Sequence, residues 1–368
     1  MSKTAALPRA ELVAPHRRGR SLALPFVFVA IIIAARFLFP SKMTFLVELS
    51  IFAIYAMGNN VLMGYLGYVS FGQPFYLSCG AYTAALYLAY LGNNPLLAIA
   101  LSLVTGLGLG ALFGPIFMRL RSSYFTLINA ALCALGVFMI NKVLIDITNG
   151  DDGLWYRTRM VATPLLDVRR PKEFFFFAML MLLLTLLLYR QMDRSALGAA
   201  FRAVRSNERK AQFLGFNPFR MKLLGFTLAV VMSTFAGALF AINFGFVNPN
   251  LGENNRAIEV IVGTLLGGVG SLYGPLFGAA AFIGIKDIVS NFVSRWELIV
   301  GIITMIVLFR FNEGLWGFVM HVGRWIAGLG SRRRAALKVL NADVAGNADL
   351  ASRFVREAQA AAAIGSDH

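Results

Sequence analysis

The chain has 368 residues and a formal net charge of +16, and 58% of its residues are hydrophobic while 14% are charged. Continuous apolar runs of roughly 16 to 25 residues recur along it, and a membrane-spanning helix needs about 20. This pattern excludes a soluble protein, whose core could not hold so much apolar surface. It also disfavours a β-barrel, whose strands alternate apolar and polar residues. It predicts an all-α polytopic membrane protein with about 8–10 transmembrane helices, some of them broken or re-entrant.

Seven predicted spans follow the basic tail 1–21. We expect this tail to be cytoplasmic, because Lys and Arg are concentrated in cytoplasmic segments of membrane proteins. The spans are Leu22–Phe39, Phe45–Met63, Val69–Leu91, Pro95–Met118, Tyr124–Ile145, Phe174–Tyr189 and Leu223–Val247.

The charges between the spans agree with this order. Arg119 and Arg121 follow the fourth span, which should end inside. The loop 146–173 follows the fifth span and has no positive excess, so it is predicted outside. The loop 190–222 follows the sixth span and is strongly basic, so it is predicted inside.

The region Ala257–Ser290 should cross an even number of times, because the basic tail after Leu298–Phe309 is predicted to be cytoplasmic. Its 34 residues reach only about 51 Å as a helix, too short for two full spans of about 30 Å. We therefore predict a broken or re-entrant hairpin. The predicted domains are a cytoplasmic tail 1–21, a transmembrane domain 22–318 and a cytoplasmic tail 319–368.

Two glycine-rich breaks interrupt the apolar pattern, at 64–74 and at 267–275. Both contain Ser, Gly and Pro in that order, and they lie in opposite halves of the chain. Matching interruptions are typical of a substrate path in a repeat-built transporter. Close packing of helices through small residues explains the glycines equally well.

The loop 190–222 contains a predicted amphipathic helix, Ala196–Leu214, with a narrow apolar stripe. Gly215 can end this helix, and Asn217-Pro218 prevents its continuation. It is either a solvated cytoplasmic loop or a helix displayed to a soluble partner. The stripe consists of Leu197, Phe201, Val204, Ala211 and Leu214.

No P-loop, H-E-x-x-H motif or nucleophile elbow occurs in the sequence. We therefore expect no enzymatic activity, no ATP hydrolysis by this chain alone and no cofactor. Cys79 and Cys133 lie in apolar segments and are interpreted as small buried hydrophobes, not as a disulfide or a metal site. Lipid headgroups and topology explain the positive charge better than nucleic acid does.

Six short motifs, in order over residues 45–318, resemble the permease subunits of branched-chain amino acid ABC importers of the LivM-like type. The first break resembles Asn followed by G-x-x-G-x-x-S-x-G-Q, and the second resembles L-G-G-x-G-S-x-x-G-P-x-x-G-A. The loop stretch 200–215 resembles A-x-R-A-x-R-x-N-E-x-x-A-x-x-x-G. The others are R-L-R-x-x-Y-F at 119–125, D-G at 152–153, and the ending 307–317.

The resemblance implies an ABC importer permease fold in a bacterial inner membrane, with both termini cytoplasmic. It implies partnership with two ABC ATPase subunits, a second and related permease chain, a periplasmic substrate-binding protein and membrane lipids. Lys210, Pro74 and Asn312-Glu313 depart from the family pattern, which leaves the particular ATPase and solute open.

Each predicted site follows from a matched motif or from its place in the chain. The helix that couples to the ATPase is assigned Arg202, Arg205, Glu208, Ala211 and Gly215. Docking of the binding protein is assigned to Asp151 and Asp152. The translocation path is assigned Asn60, Gly64, Gly67, Ser70, Gly72, Gln73, Gly267, Gly268, Gly270 and Ser271.

The expected function is import of branched-chain amino acids or related small amphipathic solutes, driven by separate ATPase subunits. One alternative is a urea or short-amide importer permease of the same architecture. An alternative of another class is a stand-alone channel or secondary carrier, which would need no ATPase.

Overall fold

A computed structural model of the chain describes residues 23–157, 160, 170–292, 295–311 and 314–331. The predicted tail 1–21, the departure at Asn312-Glu313 and the chain beyond Ser331 lie outside the described residues. The chain divides into two compact units, Met1–Phe318 and Val319–His368. In the second unit the described part is the end of one helix, and the sections below concern the first.

Nearly all described residues of the first unit lie in helices, so the predicted all-α class is confirmed. The helices are α1 Ala23–Leu38, α2 Met43–Asn60, α3 Gln73–Leu86, α4 Pro95–Phe117, α5 Ser122–Phe138, α6 Ile145–Thr148, α7 Pro171–Arg194, α8 Ala196–Ser206, α9 Glu208–Phe213, α10 Pro218–Phe244, α11 Asn254–Gly267, α12 Gly274–Val289, α13 Trp296–Arg310 and α14 Gly314–Ser331. Short π-helical turns extend α2, α3 and α5, through Val61–Leu66, Tyr87–Leu91 and Met139–Val143.

Every predicted apolar region contains a helix. Among the described residues, five helices are long and apolar enough to cross a membrane, or six if α13 and the start of α14 form one bent span. The other helices among the described residues fall short of that length or hydropathy, so the predicted total of eight to ten spans stays a prediction. The five are Pro40–Leu66, Pro95–Phe117, Ser122–Val143, Pro171–Arg194 and Pro218–Phe244.

The first glycine break lies between α2 and α3. The π-helical turn ends at Gly67, whose φ of 79° lies in the left-handed region that glycine adopts without strain. The third span therefore begins at Gln73, behind Gly72 and with Pro74 in its first turn, rather than at Val69 as predicted. Proline is favoured there because the first helical turn needs no intrahelical N–H donor.

The second break is confirmed as a turn between α11 and α12, with positive φ at Gly268 and Gly270. The two helices have 14 and 16 residues, or about 21 and 24 Å. Each is therefore too short to cross a bilayer core of about 30 Å. Their backbones touch, because a Cβ on Gly267 would overlap Gly274 and one on Gly278 would overlap Gly263.

The core is built around α10, which packs against α2, α3 and α4. Small residues let these helices approach closely: a Cβ on Gly80 would overlap the backbone of Thr234. The ring of Phe226 on α10 meets Tyr76, Phe117 and Phe125 edge-on, with centroids 5.7 to 6.2 Å apart. By contrast, α4 and α5 leave most of their apolar surface exposed.

The predicted single helix Ala196–Leu214 is wrong, because α8 ends at Ser206 and α9 begins at Glu208. Asn207 between them is extended, and its side chain accepts a hydrogen bond from the Lys210 amide, which starts a new helix. The predicted end is confirmed, since Gly215 has a φ of 87° and Asn217-Pro218 opens α10.

A two-stranded antiparallel pair, missed by the sequence analysis, joins the loops after α6 and α10. In it β1 (Leu154–Trp155) pairs with β2 (Phe246–Val247). The Tyr156 hydroxyl donates to the Ala241 carbonyl at 2.7 Å and ties this loop to α10. Asp151 and Asp152 lie beside the pair in a short 3-10 turn.

Candidate translocation and coupling site

Asn60 connects the two glycine breaks. Its side chain is fully buried, and its amide donates to the Tyr189 hydroxyl at 2.7 Å and to the Ser271 carbonyl at 3.0 Å. Its carbonyl oxygen accepts from the Gly270 amide at 2.9 Å. Because unpaired polar groups are costly in a membrane interior, these bonds hold the turn of the α11–α12 hairpin against the end of α2.

The backbones of the two breaks also meet directly. A Cβ on Gly64 would lie 2.5 Å from the Gly270 amide nitrogen, and one on Gly270 would lie 3.0 Å from the Gly64 carbonyl oxygen. Only glycine permits this approach. We call Asn60, Gly64, Gly67, Gly270 and Ser271 the glycine junction. Gly267 and Gly268 adjoin it and pack against Gly314.

Ser70, Gly72 and Gln73 lie outside the glycine junction. The Ser70 hydroxyl accepts from the Gly72 amide at 3.3 Å. Gly72 packs against Asn129 on α5, and Gln73 accepts a hydrogen bond from Ser233 on α10. The buried Gln73 amide nitrogen has no partner among the described residues. The predicted path residues thus fall into two groups, only one of which touches the hairpin.

Arg205 on α8 points into the glycine junction. Its guanidinium donates a short hydrogen bond to the Gly64 carbonyl. Its methylene stem covers Gly67, where an added Cβ would lie 3.1 Å from Arg205 Cγ. The same guanidinium nitrogen would lie 3.3 Å from a Cβ on Gly270. The loop helix is therefore attached to both breaks through one side chain.

Arg202, one turn earlier, makes a second attachment. It forms an ion pair with Asp193 at 2.6 Å, and its guanidinium lies over the Tyr65 ring, 5.4 Å from the centroid. The Tyr65 hydroxyl donates to the same carboxylate at 2.8 Å. Through Asp193 the helix α8 is thus linked to the end of α7 and to the π-helical turn after α2.

Glu208 and Lys222 form an ion pair of 2.5 Å, with Lys222 buried and Glu208 half exposed. They border a cleft of about 440 Å³ that also contains Arg119, Arg121 and Arg205. Within the described part of the chain, neither Arg119 nor Arg121 forms an ion pair with a carboxylate. The cleft is therefore strongly cationic.

The other predicted coupling residues differ in exposure. Ala211 is buried against the membrane domain. A Cβ on Gly215 would meet nothing within 4 Å. Phe213 and Leu214, between them, are 91% and 71% exposed. These two are the most exposed large apolar side chains of the loop 190–222.

Asp151 and Asp152 are exposed in their 3-10 turn. The Asp151 carboxylate accepts from the Asn141 amide at 2.7 Å, which fastens the turn to the end of α5. Both carboxylates thus face solvent on the side of the molecule predicted to be outside.

Several residues of the site had no role in the sequence analysis. Tyr189 and Asp193 lie one helical turn apart on α7, and Tyr65 lies inside the first motif. The sequence shows only that Tyr189 and Asp193 lie at the polar end of an apolar helix. That position does not identify the residues with which they form hydrogen bonds. No group of three metal-binding side chains occurs among the described residues. The arrangement offers hydrogen bonding at the two breaks and mechanical linkage of α8 to them through Arg202 and Arg205.

Residues 42–309 match the family described as branched-chain amino acid transport system / permease component. A Salmonella typhimurium relative, the high-affinity branched-chain amino acid transport system permease protein LivM, is 26% identical over 72% of this chain and 67% of its own. The corresponding LivH protein of Escherichia coli is 23% identical over 66% of this chain and 82% of its own. An autoinducer 2 import system permease protein, LsrC of Klebsiella pneumoniae, is 32% identical over 35% of each chain. No solved structure matches.

Proposed function

Because the chain belongs to the family of branched-chain amino acid transport permease components, we propose that it carries branched-chain amino acids across a bacterial inner membrane. It is a permease subunit of an ABC importer for amino acids or related solutes. The proposed complex adds two ATPase subunits, a second and related permease, and a periplasmic binding protein. Domain limits of 1–21, 22–318 and 319–368 belong to the same proposal.

The α8–α9 segment is the proposed docking site for an ATPase. Phe213 and Leu214 are exposed apolar anchors, and large buried anchors contribute much of the binding energy at interfaces. Glu208 is the proposed mechanical contact, and the neighbouring cleft is cationic. Acidic groups of the ATPase would fit this cleft.

The hydrogen bond from Arg205 to the Gly64 carbonyl is the single observation that carries the proposal. ATP binding draws the ATPases together, and α8 moves with them. Because Arg205 and Arg202 attach α8 to the first break and to α7, this movement displaces the glycine junction and opens or closes one side of the path. Separate ATPases are needed because this chain supplies only the helix α8 and its attachments, which transmit the movement.

The proposed path runs between the two permeases, near Gln73 and the broken helices. The Asn60 side chain already forms three hydrogen bonds, to Tyr189, Ser271 and Gly270. Its proposed role is therefore to hold the two breaks together and not to contact the solute. Gln73 has an amide nitrogen free for a solute. A binding protein would deliver solute beside Asp151 and Asp152, whose carboxylates face solvent.

Uptake in proteoliposomes tests the function. The vesicles contain this chain, its companion permease and its ATPases, with purified binding protein outside and radiolabelled solutes. We expect uptake of leucine, isoleucine and valine that stops without ATP or without binding protein. Uptake of urea or short amides instead would replace the substrate. Uptake by this chain alone, independent of ATP, would refute the importer and support a channel or carrier.

A further inference from the structure

The cationic cleft beside α8 and α9 extends to the short loop that joins α4 to α5. This cleft has a volume of about 440 Å³, and the loop contributes Arg119, Arg121 and Ser122 to its lining. We call these three residues the loop side of the cleft. A volume of this size is in the range of sites that hold small molecules or headgroups.

Positive charge exceeds negative charge in this cleft. Among the described residues that line it, four are cationic and one, Glu208, is a carboxylate. Glu208 is already paired with Lys222 at 2.5 Å. Arg119 and Arg121 are exposed, and neither has a carboxylate partner in the described ranges. The loop side therefore offers two guanidinium groups to an anion from outside the chain. The four cations are Arg119, Arg121, Arg205 and Lys222.

The helix α5 begins at the loop side. Ser122 is its first residue, and the Arg121 side chain at its N-cap makes no capping hydrogen bond. The first N–H groups of a helix and its dipole favour a negative charge near the N-terminus. They add to the attraction that the two arginines exert on an anion.

An exposed apolar strip adjoins the loop side. It consists of Leu112 and Ile116 near the end of α4, and Tyr124 and Leu127 near the start of α5, each more than half exposed. The members of each pair are three or four residues apart, so they lie on one face of their helix. All four lie within two helical turns of the loop. A basic pocket above apolar helix surface is typical of a site for an anionic lipid on the cytoplasmic side.

We propose that the loop side binds an anionic phospholipid of the cytoplasmic leaflet, with its phosphodiester on Arg119 and Arg121 and its acyl chains along the apolar strip. Free phosphate would leave the strip unused. A zwitterionic lipid would bring a further positive charge into a cleft that already has an excess. The ATPase contact proposed above involves Glu208 and the apolar tip of the loop, so the lipid occupies a separate part of the surface.

Native mass spectrometry of the full chain in detergent tests this site, with phosphatidylglycerol as the probe and phosphatidylcholine as the zwitterionic comparison. Arg119→Gln/Arg121→Gln should raise the dissociation constant for phosphatidylglycerol by roughly ten- to thirtyfold, from the loss of two basic contacts at the membrane surface. Arg119→Lys/Arg121→Lys should retain most of the affinity, because the charge is kept. Arg209→Gln/Arg220→Gln is the matched control. It removes two exposed arginines of the same basic loop that do not line the cleft, and it should leave the constant nearly unchanged.

Thermal unfolding of the same variants separates binding from folding. Without added lipid, both glutamine double variants should keep the wild-type midpoint, because the replaced side chains are exposed. With phosphatidylglycerol, the midpoint should rise in the wild type and in the control but not in Arg119→Gln/Arg121→Gln. A midpoint lowered without lipid in that variant would show that the two arginines serve the fold, and this would overturn the inference.

Other results would also overturn it. Equal weakening by the control would indicate diffuse attraction to the basic loop, and equal binding of phosphatidylcholine would exclude recognition of charge. Displacement of the lipid by inorganic phosphate would indicate a site for the free anion. If the cleft variant keeps its lipid affinity but no longer copurifies with the ATPases, the loop side is a protein interface. That last result would leave the import function standing, and a failure of uptake with lipid binding intact would refute only the function.

Discussion

At the scale of single residues, the structure separates side chains that hold the permease together from those that remain available. Asn60 and Gln73 looked equivalent in the sequence, as amides beside a glycine break. Asn60 makes three hydrogen bonds to α7 and the hairpin turn. Gln73 accepts one, from Ser233, and has a free nitrogen. The two amides should therefore respond differently to substitution.

Asn60→Leu should destabilise the protein by about 2–5 kcal/mol, because it leaves the Gly270 amide and the Ser271 carbonyl buried without partners. Gln73→Leu is the matched variant. It should cost about 1 kcal/mol or less, since Ser233 keeps its second hydrogen bond, to the Ala229 carbonyl at 3.0 Å. Thermal unfolding of the purified chain in detergent measures the loss of stability in each variant. Equal losses would contradict the role assigned to Asn60.

Substitution by alanine should also distinguish the packed glycines from the exposed ones. Gly64→Ala places a methyl group 2.5 Å from the Gly270 amide nitrogen, and we expect a loss of about 3 kcal/mol from overpacking. Gly108→Ala, in the middle of α4, meets nothing within 4 Å. It should stabilise the helix by about 0.5–1 kcal/mol, because alanine is the better helix former. Unfolding midpoints that move in the same direction for both variants would refute the backbone contact between the breaks.

At the scale of elements, the loop 190–222 changed most between sequence and structure. The predicted continuous helix is two helices, because Asn207 caps the second one. Arg202 and Arg205 were assigned to the ATPase side, yet both contact the membrane domain. The exposed residues Phe213 and Leu214 are better placed to meet a partner. The coupling segment therefore has an inner face of arginines and an outer apolar tip.

Arg205→Gln should reduce leucine uptake per ATP hydrolysed by about tenfold, because it removes a charged hydrogen bond worth about 1.5–3 kcal/mol. Arg205→Lys should restore part of this ratio, since it keeps the charge but lacks the planar fork. Arg209→Gln, on the exposed side of α9, is the control and should leave the ratio nearly unchanged. The measurement is uptake and phosphate release in the same vesicles. An unchanged ratio in Arg205→Gln would show that α8 does not act through Gly64.

At the scale of the whole molecule, the topology joins these elements into one path. The predicted orientation places α9 in the cytoplasm and the Asp151–Asp152 turn in the periplasm. In the structure, the attachments of α8 and the Asp151–Asp152 turn belong to opposite ends of α3, α5 and α10. A solute entering at one end would thus cross toward a junction that the ATPases control from the other.

Labelling of single cysteines checks this orientation. Asp152→Cys should react with a charged thiol reagent that cannot cross the inner membrane, while Lys210→Cys should react only after permeabilisation. Both positions are exposed, so accessibility depends on the side of the membrane. The native Cys79 and Cys133 are partly and fully buried in the apolar helices α3 and α5, so they should stay unlabelled by a charged reagent. The reverse labelling pattern would invert the topology.

The membrane class, the apolar segments, both glycine breaks and the end of the loop helix at Gly215 could be predicted from the sequence alone. These properties depend on hydrophobicity, charge and backbone preference within about 20 neighbouring residues. Only the tertiary structure decided what the breaks do. Arg205 meets Gly64 across 141 positions and Asn60 meets Gly270 across 210. No local pattern encodes such pairings, because they depend on how α2, α8 and the hairpin pack.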